Sequence, residues 1–169
     1  MITRGDIVLV DTNVIIEAHR VRCWRAILNF FKVETVEKCS EEAATGDSRR
    51  PGYVAVDVAE MKKVVAVHAV SLLELAEIET RLAEPDRIDM GEKHLLAHAL
   101  ATPGTWYLSA SDRAAVRAGN ELGFLDRFAS LEALARAVGI TPQYKTAITE
   151  KWLSALRTDI LMGGGSHAL

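Results

Sequence analysis

A short apolar run near the N-terminus, Ile7–Val10, ends in the polar triplet Asp11-Thr12-Asn13, and residues with helical character follow it. An unbroken apolar run that leads into a helix is typical of a strand buried on both faces of a parallel sheet. A carboxylate directly after such a strand is costly unless it is paired, solvated or bound to a cation. This junction therefore constrains the fold and marks the first place to look for chemistry.

The rest of the chain alternates between strand-like and helical segments. We predict strands over 33–36 and 105–109 and near Phe128. We predict helices over 14–31, 37–44, 72–82, 86–101, 111–122, 130–138 and 147–162. Ser71 and Glu74 have the spacing of a capping box. Strands that alternate with helices imply βαβ units, so the sequence predicts an α/β fold with a mainly parallel sheet.

The stretch around 45–70 does not fit this alternation and is predicted to be an insertion. Residues 47–52 have the composition of a loop. Val54, Val56 and Val58 alternate with small or polar residues, as in an edge strand, so a short hairpin is one interpretation of 53–67.

Length and composition favour a single domain over 1–162, followed by a flexible tail over 163–169. The chain has 169 residues, of which 49% are apolar and 25% are charged, which excludes wholesale disorder. No uncharged apolar run reaches the roughly 18 residues of a membrane span, and the N-terminus lacks the pattern of a signal peptide. Cys23 and Cys39 are expected to be free thiols in a reducing cytoplasm.

Acidic residues stand at or just after the expected ends of strands. Sites in open parallel sheets form beyond the carboxyl ends of the strands, so we expect these acids to converge. Two of them are three residues apart, which is the spacing of carboxylates on one helix face. In chain order the set comprises Asp11, Glu42 with Glu41 beside it, the pair Asp89 and Glu92, and Asp112.

Carboxylates that share one cleft repel each other strongly unless a cation is present. Hard oxygen ligands without cysteine suit Mg²⁺ or Mn²⁺. Such a cluster can orient a water molecule and stabilise charge on a phosphodiester. The ordered set therefore points to phosphoryl-transfer chemistry.

Each acid also has a purely structural interpretation. Asp112 suits the positive N-terminus of a helix, and Asp89 suits a capping position. Glu41 and Glu42 are typical of solvated surface charges. A single acid is therefore weak evidence for a site, and the ordered set is much stronger evidence.

The set resembles that of the PIN-domain ribonucleases, especially the VapC-like toxins of bacterial and archaeal toxin–antitoxin modules. The matching segments are 8–14, 35–42, 89–99 and 108–112, and their order and spacing agree over about residues 7–138. The resemblance implies a three-layer α/β/α domain whose acidic pocket binds Mg²⁺ or Mn²⁺ and cleaves RNA. It also implies a protein antitoxin and a second copy of the chain as partners.

The resemblance assigns roles by position. Asp11 matches the first metal-binding acid, and Thr12 or Asn13 matches the polar residue that orders it and its waters. Glu41 competes with Glu42 for the second position. The catalytic acids implied are Asp11, Glu42, Glu92 and Asp112, of which Asp11, Glu92 and Asp112 hold the metal.

The chain departs from the family pattern beside the fourth acid. Where the family often has another acid, this chain has Ser111 and Arg113. The pocket is therefore expected to hold one metal firmly and a second only with substrate. Ser111 and Arg113 are candidates for ordering substrate or water, and Arg113 in particular for contact with a substrate phosphate.

The net charge of −3 argues at first sight against a nucleic-acid partner. The acid excess is confined to residues 40–100, which carry 12 acidic and 7 basic side chains. This segment contributes Glu42 and Glu92, and a bound divalent cation would offset part of its charge. Mild acidity is therefore compatible with a metal-dependent nuclease.

Other sites and functions receive less support. His94 and His98 are four residues apart but lack the glutamate of the metalloprotease pattern, so packing at the core edge or surface exposure is favoured over zinc binding. A non-catalytic PIN-like module that binds RNA or protein is the alternative function. A signalling domain phosphorylated on Asp11 ranks last, because it lacks the expected paired acids and lysine.

Overall fold

Four parallel strands form the sheet in the computed structural model, which describes residues 2–45 and 54–163. The spatial order is β3-β2-β1-β4, and in register Leu9 lies opposite Glu34 on one side and Leu108 on the other. A single bridge from Leu108 to Phe128 stands where a further short strand was predicted. The strands are β1 (Ile7–Val10), β2 (Lys32–Val36), β3 (Ala66–His68) and β4 (Trp106–Ser109).

Helices cover both faces of the sheet and give a three-layer α/β/α fold. Because side chains alternate along β1, Val8 and Val10 enter one hydrophobic cluster and Leu9 enters the other. The parallel pairing of all four strands, with helices on both faces, confirms the predicted α/β class. The helices are α1 (Thr12–Arg20), α2 (Trp24–Phe30), α3 (Glu37–Ala44), α4 (Val58–Met61), α5 (Leu72–Arg81), α6 (Met90–Ala101), α7 (Arg113–Glu121), α8 (Leu131–Ala137) and α9 (Glu150–Leu161).

The hairpin considered for 53–67 is wrong. The Asp57 side chain accepts a hydrogen bond of 3.0 Å from the Glu60 backbone N–H and starts the short helix α4. The chain then enters β3, which pairs in parallel with β2 and therefore extends the central sheet. Valine spacing alone could not distinguish these outcomes, since a short β-branched segment does not show which strand it pairs with. The predicted loop at 47–52 lies outside the described residues, as does the predicted tail beyond residue 163.

Two predicted helices are divided in the structure. The segment 14–31 becomes α1 and α2, because the chain turns at Arg22, whose φ is 59°. The helix predicted from residue 86 begins instead at Met90, after a 3₁₀ turn over Pro85–Arg87. Asp89 caps this helix by accepting a 2.8 Å hydrogen bond from the Glu92 N–H. The capping box of Ser71 and Glu74 is confirmed.

The strand order creates a crevice beside the carboxyl end of β1. The helix that follows β1 packs on one face of the sheet, whereas α7, which follows β4, packs on the other. Adjacent parallel strands whose connections leave in opposite directions open a ligand-binding crevice at their carboxyl ends. Asp11 and Ser111 stand at these two strand ends, so the predicted site lies at the switch point.

Within residues 2–45 and 54–163, no helix combines the length and apolar character needed to cross a membrane.

Gly119 is predicted to be essential for packing between α7 and the segment after it. A Cβ atom at this position would overlap the ring of Phe128, which is 3% exposed and packs against Phe124. Gly119→Ala is therefore expected to lower the free energy of unfolding by about 1–3 kcal/mol, despite the better helix propensity of alanine. Urea unfolding measures the change, with exposed Asn120→Ala as the control. An unchanged midpoint in Gly119→Ala would contradict the packing.

Candidate metal centre

Asp11 is buried at the junction of β1 and α1 and joins the two strand ends. Its Oδ1 accepts a 2.6 Å hydrogen bond from the Val14 N–H, and its Oδ2 accepts one of 3.2 Å from the Ser111 N–H. Burial raises the pKa of Asp11 to about 7, although both N–H groups oppose the shift. The nearby charges of Asp89 and Asp112 raise it further. The fold therefore keeps a carboxyl where ionisation is unfavourable without a cation.

Glu42 faces the same region from α3. Its Oε2 accepts a 2.8 Å hydrogen bond from the Thr12 hydroxyl, so Thr12 orients the second acid. Gly91 makes room for this carboxylate, since a Cβ atom at residue 91 would overlap it. Glu41 points away, with a side chain that is 66% exposed and 3.8 Å from the Lys38 ammonium. The geometry therefore favours Glu42 over Glu41 as the second acid.

Glu92 is the acid least explained by structural interactions. Its side chain lies in the first turn of α6, where the residue is only 6% exposed, and its Oε1 is buried without a hydrogen-bond partner in residues 2–45 and 54–163. Burial raises the pKa of Glu92 to about 9, and the charges of Asp112, Asp89 and Asp11 act in the same direction. A buried carboxylate oxygen without a partner is the kind of group that a bound cation satisfies.

These side chains surround a cleft of about 130 Å³. Of the predicted site residues, the cleft brings together Thr12 and Asn13 with three of the four predicted catalytic acids, Asp11, Glu42 and Glu92. It adds Cys39, whose thiol donates to the Gly91 carbonyl over 3.4 Å, and Asp89, the cap of α6. The lining residues are Asp11, Thr12, Asn13, Cys39, Glu42, Asp89 and Glu92.

The remaining predicted residues lie outside this lining. Asp112 is exposed and caps α7, where its Oδ1 accepts a 2.6 Å hydrogen bond from the Ala114 N–H. Its charge still raises the pKa of Asp11 and of Glu92, so it belongs to the electrostatics of the cleft. Ser111 contributes its backbone N–H rather than its hydroxyl. Arg113 is exposed at the start of α7.

The donor set fits a hard divalent cation held partly through water. No three acids of the cleft bring ligand atoms within 4.8 Å of one another. Among the described residues, a different group of side chains has this close spacing. Mg²⁺ keeps several of its waters and is commonly bound through one or two carboxylates, so it tolerates this wider spacing. The unpartnered oxygen of Glu92 and the buried carboxyl of Asp11 are the direct ligands that the geometry favours.

That other cluster was missed by the sequence analysis. It joins Glu34 on β2, His68 on β3 and His98 on α6. The spacing of His94 and His98 indicated helix α6, which does contribute His98 to the cluster, but His94 is not part of the cluster. The true partner of His98 is set by the pairing of β2 with β3, which the valine pattern did not reveal.

Comparisons with known proteins do not assign the chain to a family, because no family model matches it and no curated protein is significantly similar.

The two adjacent glutamates of α3 are expected to respond differently to substitution. Glu42→Gln should weaken Mn²⁺ binding by about 10–100-fold, because it removes a charge from the cleft while keeping a group that Thr12 can contact. Glu41→Gln should leave binding unchanged, since its side chain is exposed and directed at Lys38. Isothermal titration calorimetry with MnCl₂ compares the two. Equal losses in both variants would contradict the assignment of Glu42.

Proposed function

We propose that this chain is a divalent-metal-dependent ribonuclease of the PIN-domain type and the toxin of a toxin–antitoxin pair. The observation that carries the proposal is the burial of two carboxyls, Asp11 and Glu92, in one cleft at the β1–β4 switch point. Capping explains Asp89 and Asp112 without any ligand. It does not explain Glu92, whose buried Oε1 has no hydrogen-bond partner among the described residues.

The residues that would hold the ion are Asp11 and Glu92, with Asp112 at the rim. A bound Mg²⁺ or Mn²⁺ supplies Lewis acidity toward a phosphodiester and lowers the pKa of a coordinated water.

The other side chains of the cleft position what enters it. Glu42, held by Thr12 and seated against Gly91 of α6, is an acceptor for a water proton. Asn13 lines the cleft and is exposed, so its amide can donate to a substrate oxygen. We assign exposed Arg113 the contact with a phosphate of the RNA backbone.

The direct test is cleavage of a fluorescently labelled single-stranded RNA by the purified chain. We expect cleavage with MnCl₂ or MgCl₂ and none with EDTA, restored when the ion is added back in excess. Mn²⁺ binding without cleavage of a panel of RNAs would overturn the catalytic proposal and favour the alternative, a PIN-like module that binds without cutting. Cleavage that persists in EDTA would refute the role of the metal.

The proposed toxin acts in the cytoplasm and binds a protein antitoxin, and it also forms a homodimer. Support for a protein partner comes from Leu72 and Leu73, which are 84% and 83% exposed at the start of α5. Large apolar side chains exposed side by side suit an interface. Light scattering of the purified chain should show a dimer, and the doubly substituted Leu72→Glu, Leu73→Glu protein should be monomeric. A double variant that dimerises like the wild type would contradict the use of this surface.

A further inference from the structure

A second group of ligand atoms lies at the β2–β3 edge of the sheet. Glu34 projects from β2, His68 is the last residue of β3, and His98 lies in the last turn of α6. Glu34 Oε2 is 2.8 Å from His68 Nε2 and 3.5 Å from His98 Nε2. One ligand atom from each residue lies within 4.8 Å of the other two. Three separate elements therefore place nitrogen and oxygen donors around one point.

This cluster is distinct from the acidic cleft. His98 is six residues beyond Glu92 on the same helix, which separates the two by about 9 Å along the axis of α6. Glu34 lies two residues before the carboxyl end of β2, whereas Asp11 follows the end of β1. None of the three residues lines the cleft.

Hydrogen bonding does not account for the arrangement. The Nε2 atoms of His68 and His98 are buried and lie at ion-pair distance from Glu34 Oε2, but among the described residues neither atom has a partner in hydrogen-bond geometry. The two rings stack with centroids 4.1 Å apart and planes 22° apart. Two imidazole nitrogens are thus held at ion-pair distance from one carboxylate oxygen without the alignment of a hydrogen bond.

We propose that Glu34, His68 and His98 bind one Zn²⁺ ion through Glu34 Oε2 and the two Nε2 atoms. Two imidazoles and a carboxylate form a recognised zinc donor set, with the fourth position open to water. Zinc–ligand distances of about 2.0–2.2 Å place neighbouring ligands of a tetrahedral site roughly 3.4 Å apart. The distances of 2.8 Å and 3.5 Å from Glu34 lie on either side of this value.

The exposure of the three side chains agrees with this chemistry. The side chains of Glu34 and His98 are 18% and 13% exposed, and that of His68 is 37% exposed. An ion can therefore enter from the His68 side and finish in a largely enclosed position.

Binding would fasten an edge strand. β3 has three residues and, within the part of the chain that the structure describes, pairs with β2 alone. An ion shared by His68, Glu34 and His98 therefore ties this edge to the sheet and to α6. The stacked rings have to open as the ion binds, because the lone pair of a ligating nitrogen lies in the plane of its ring. Zinc should therefore increase protection of the Ala66–His68 amides from hydrogen exchange and end the ring stacking.

The binding test uses ZnCl₂ and the 169-residue chain carrying Asp11→Asn, which removes a ligand of the acidic cleft. Calorimetry should show one Zn²⁺ per chain. His68→Gln and His98→Gln should each weaken binding by roughly a hundredfold or more, because each removes a direct ligand. His94→Gln, one turn earlier on α6, is the matched control and should bind normally. Folded His68→Gln and His98→Gln proteins that bind Zn²⁺ as tightly as their parent would overturn the proposal.

A second measurement avoids dependence on the folding of the histidine variants. In ¹⁵N imidazole spectra of the same parent protein, ZnCl₂ should shift the Nε2 resonances of His68 and His98 and leave those of His94 in place. Shifts confined to other histidines, or no shift at all, would contradict the site. The proposed ribonuclease function is judged separately, by RNA cleavage with Mn²⁺, so either proposal can fail alone.

Discussion

Asp11→Asn is expected to abolish metal-dependent RNA cleavage, with a loss of more than about a hundredfold. Changes to residues that merely support metal ligands cost about 10–100-fold, and Asp11 is proposed to be a direct ligand. Asparagine keeps the size of the side chain and the oxygen that accepts from the Val14 N–H, so α1 remains capped. The charge needed to hold a divalent cation is lost.

The measurement is the initial rate of cleavage of labelled RNA at saturating MnCl₂, compared with calorimetric binding of Mn²⁺. Asp126→Asn is the matched control, because Asp126 is an exposed aspartate outside the cleft. Circular dichroism and the thermal midpoint establish that the Asp11→Asn protein is folded. Undiminished cleavage by the folded variant would remove Asp11 from the proposed machinery.

The fold was largely predictable because its signals are local. The apolar run Ile7–Val10 and the capping box at Ser71 each act over a few residues, and the structure contains both as predicted. The resemblance that placed Asp11, Glu42 and Glu92 in order along the chain led to three side chains that line one cleft. Strand ends in a parallel sheet converge by geometry, which is why linear order was informative there.

The remaining features depend on pairing between distant segments. β3 has three residues, and its pairing with β2 joins segments that are far apart in the sequence. No local sequence pattern specifies that pairing. The stacking of His68 on His98 depends on that pairing, so it could not be predicted from the sequence either. Asp112 shows a different difficulty. An aspartate at the start of a helix suits both a helix cap and a metal ligand, so the sequence pattern does not distinguish the two roles. The structure shows the cap and leaves the ligand role to experiment.

The stability of the metal-free protein is expected to fall as the pH rises from 5 to 8. The pKa of Asp11 is 3.8 in its ordinary state and about 7 in the folded chain, and that of Glu92 moves from 4.5 to about 9. Across these windows the folded state keeps protons that the unfolded state has released. Unfolding therefore becomes easier as the pH rises, by up to about 1.4 kcal/mol per pH unit for each group.

Urea unfolding in EDTA at pH 5, 6, 7 and 8 measures this slope. Glu92→Gln should flatten it and raise stability at pH 8, because the amide is neutral in both states and removes the free-energy cost of protonating Glu92 on folding. Glu41→Gln makes the same chemical change at an exposed position and should keep the wild-type slope. His94 and His98, whose pKa values are lowered by burial, act in the opposite sense below about pH 6.5. The difference between wild type and Glu92→Gln cancels their contribution.

Saturating MnCl₂ should reverse the trend, since the ion binds the ionised carboxylates and its binding strengthens as protons leave. Wild type would then gain stability between pH 6 and 8, whereas Glu92→Gln would gain much less. A wild-type stability that is flat or rising over this range in EDTA would show that Asp11 and Glu92 are not held against their ionisation. The burial of Asp11 and Glu92 would then no longer support a bound cation, because the fold would tolerate both negative charges without a metal ion.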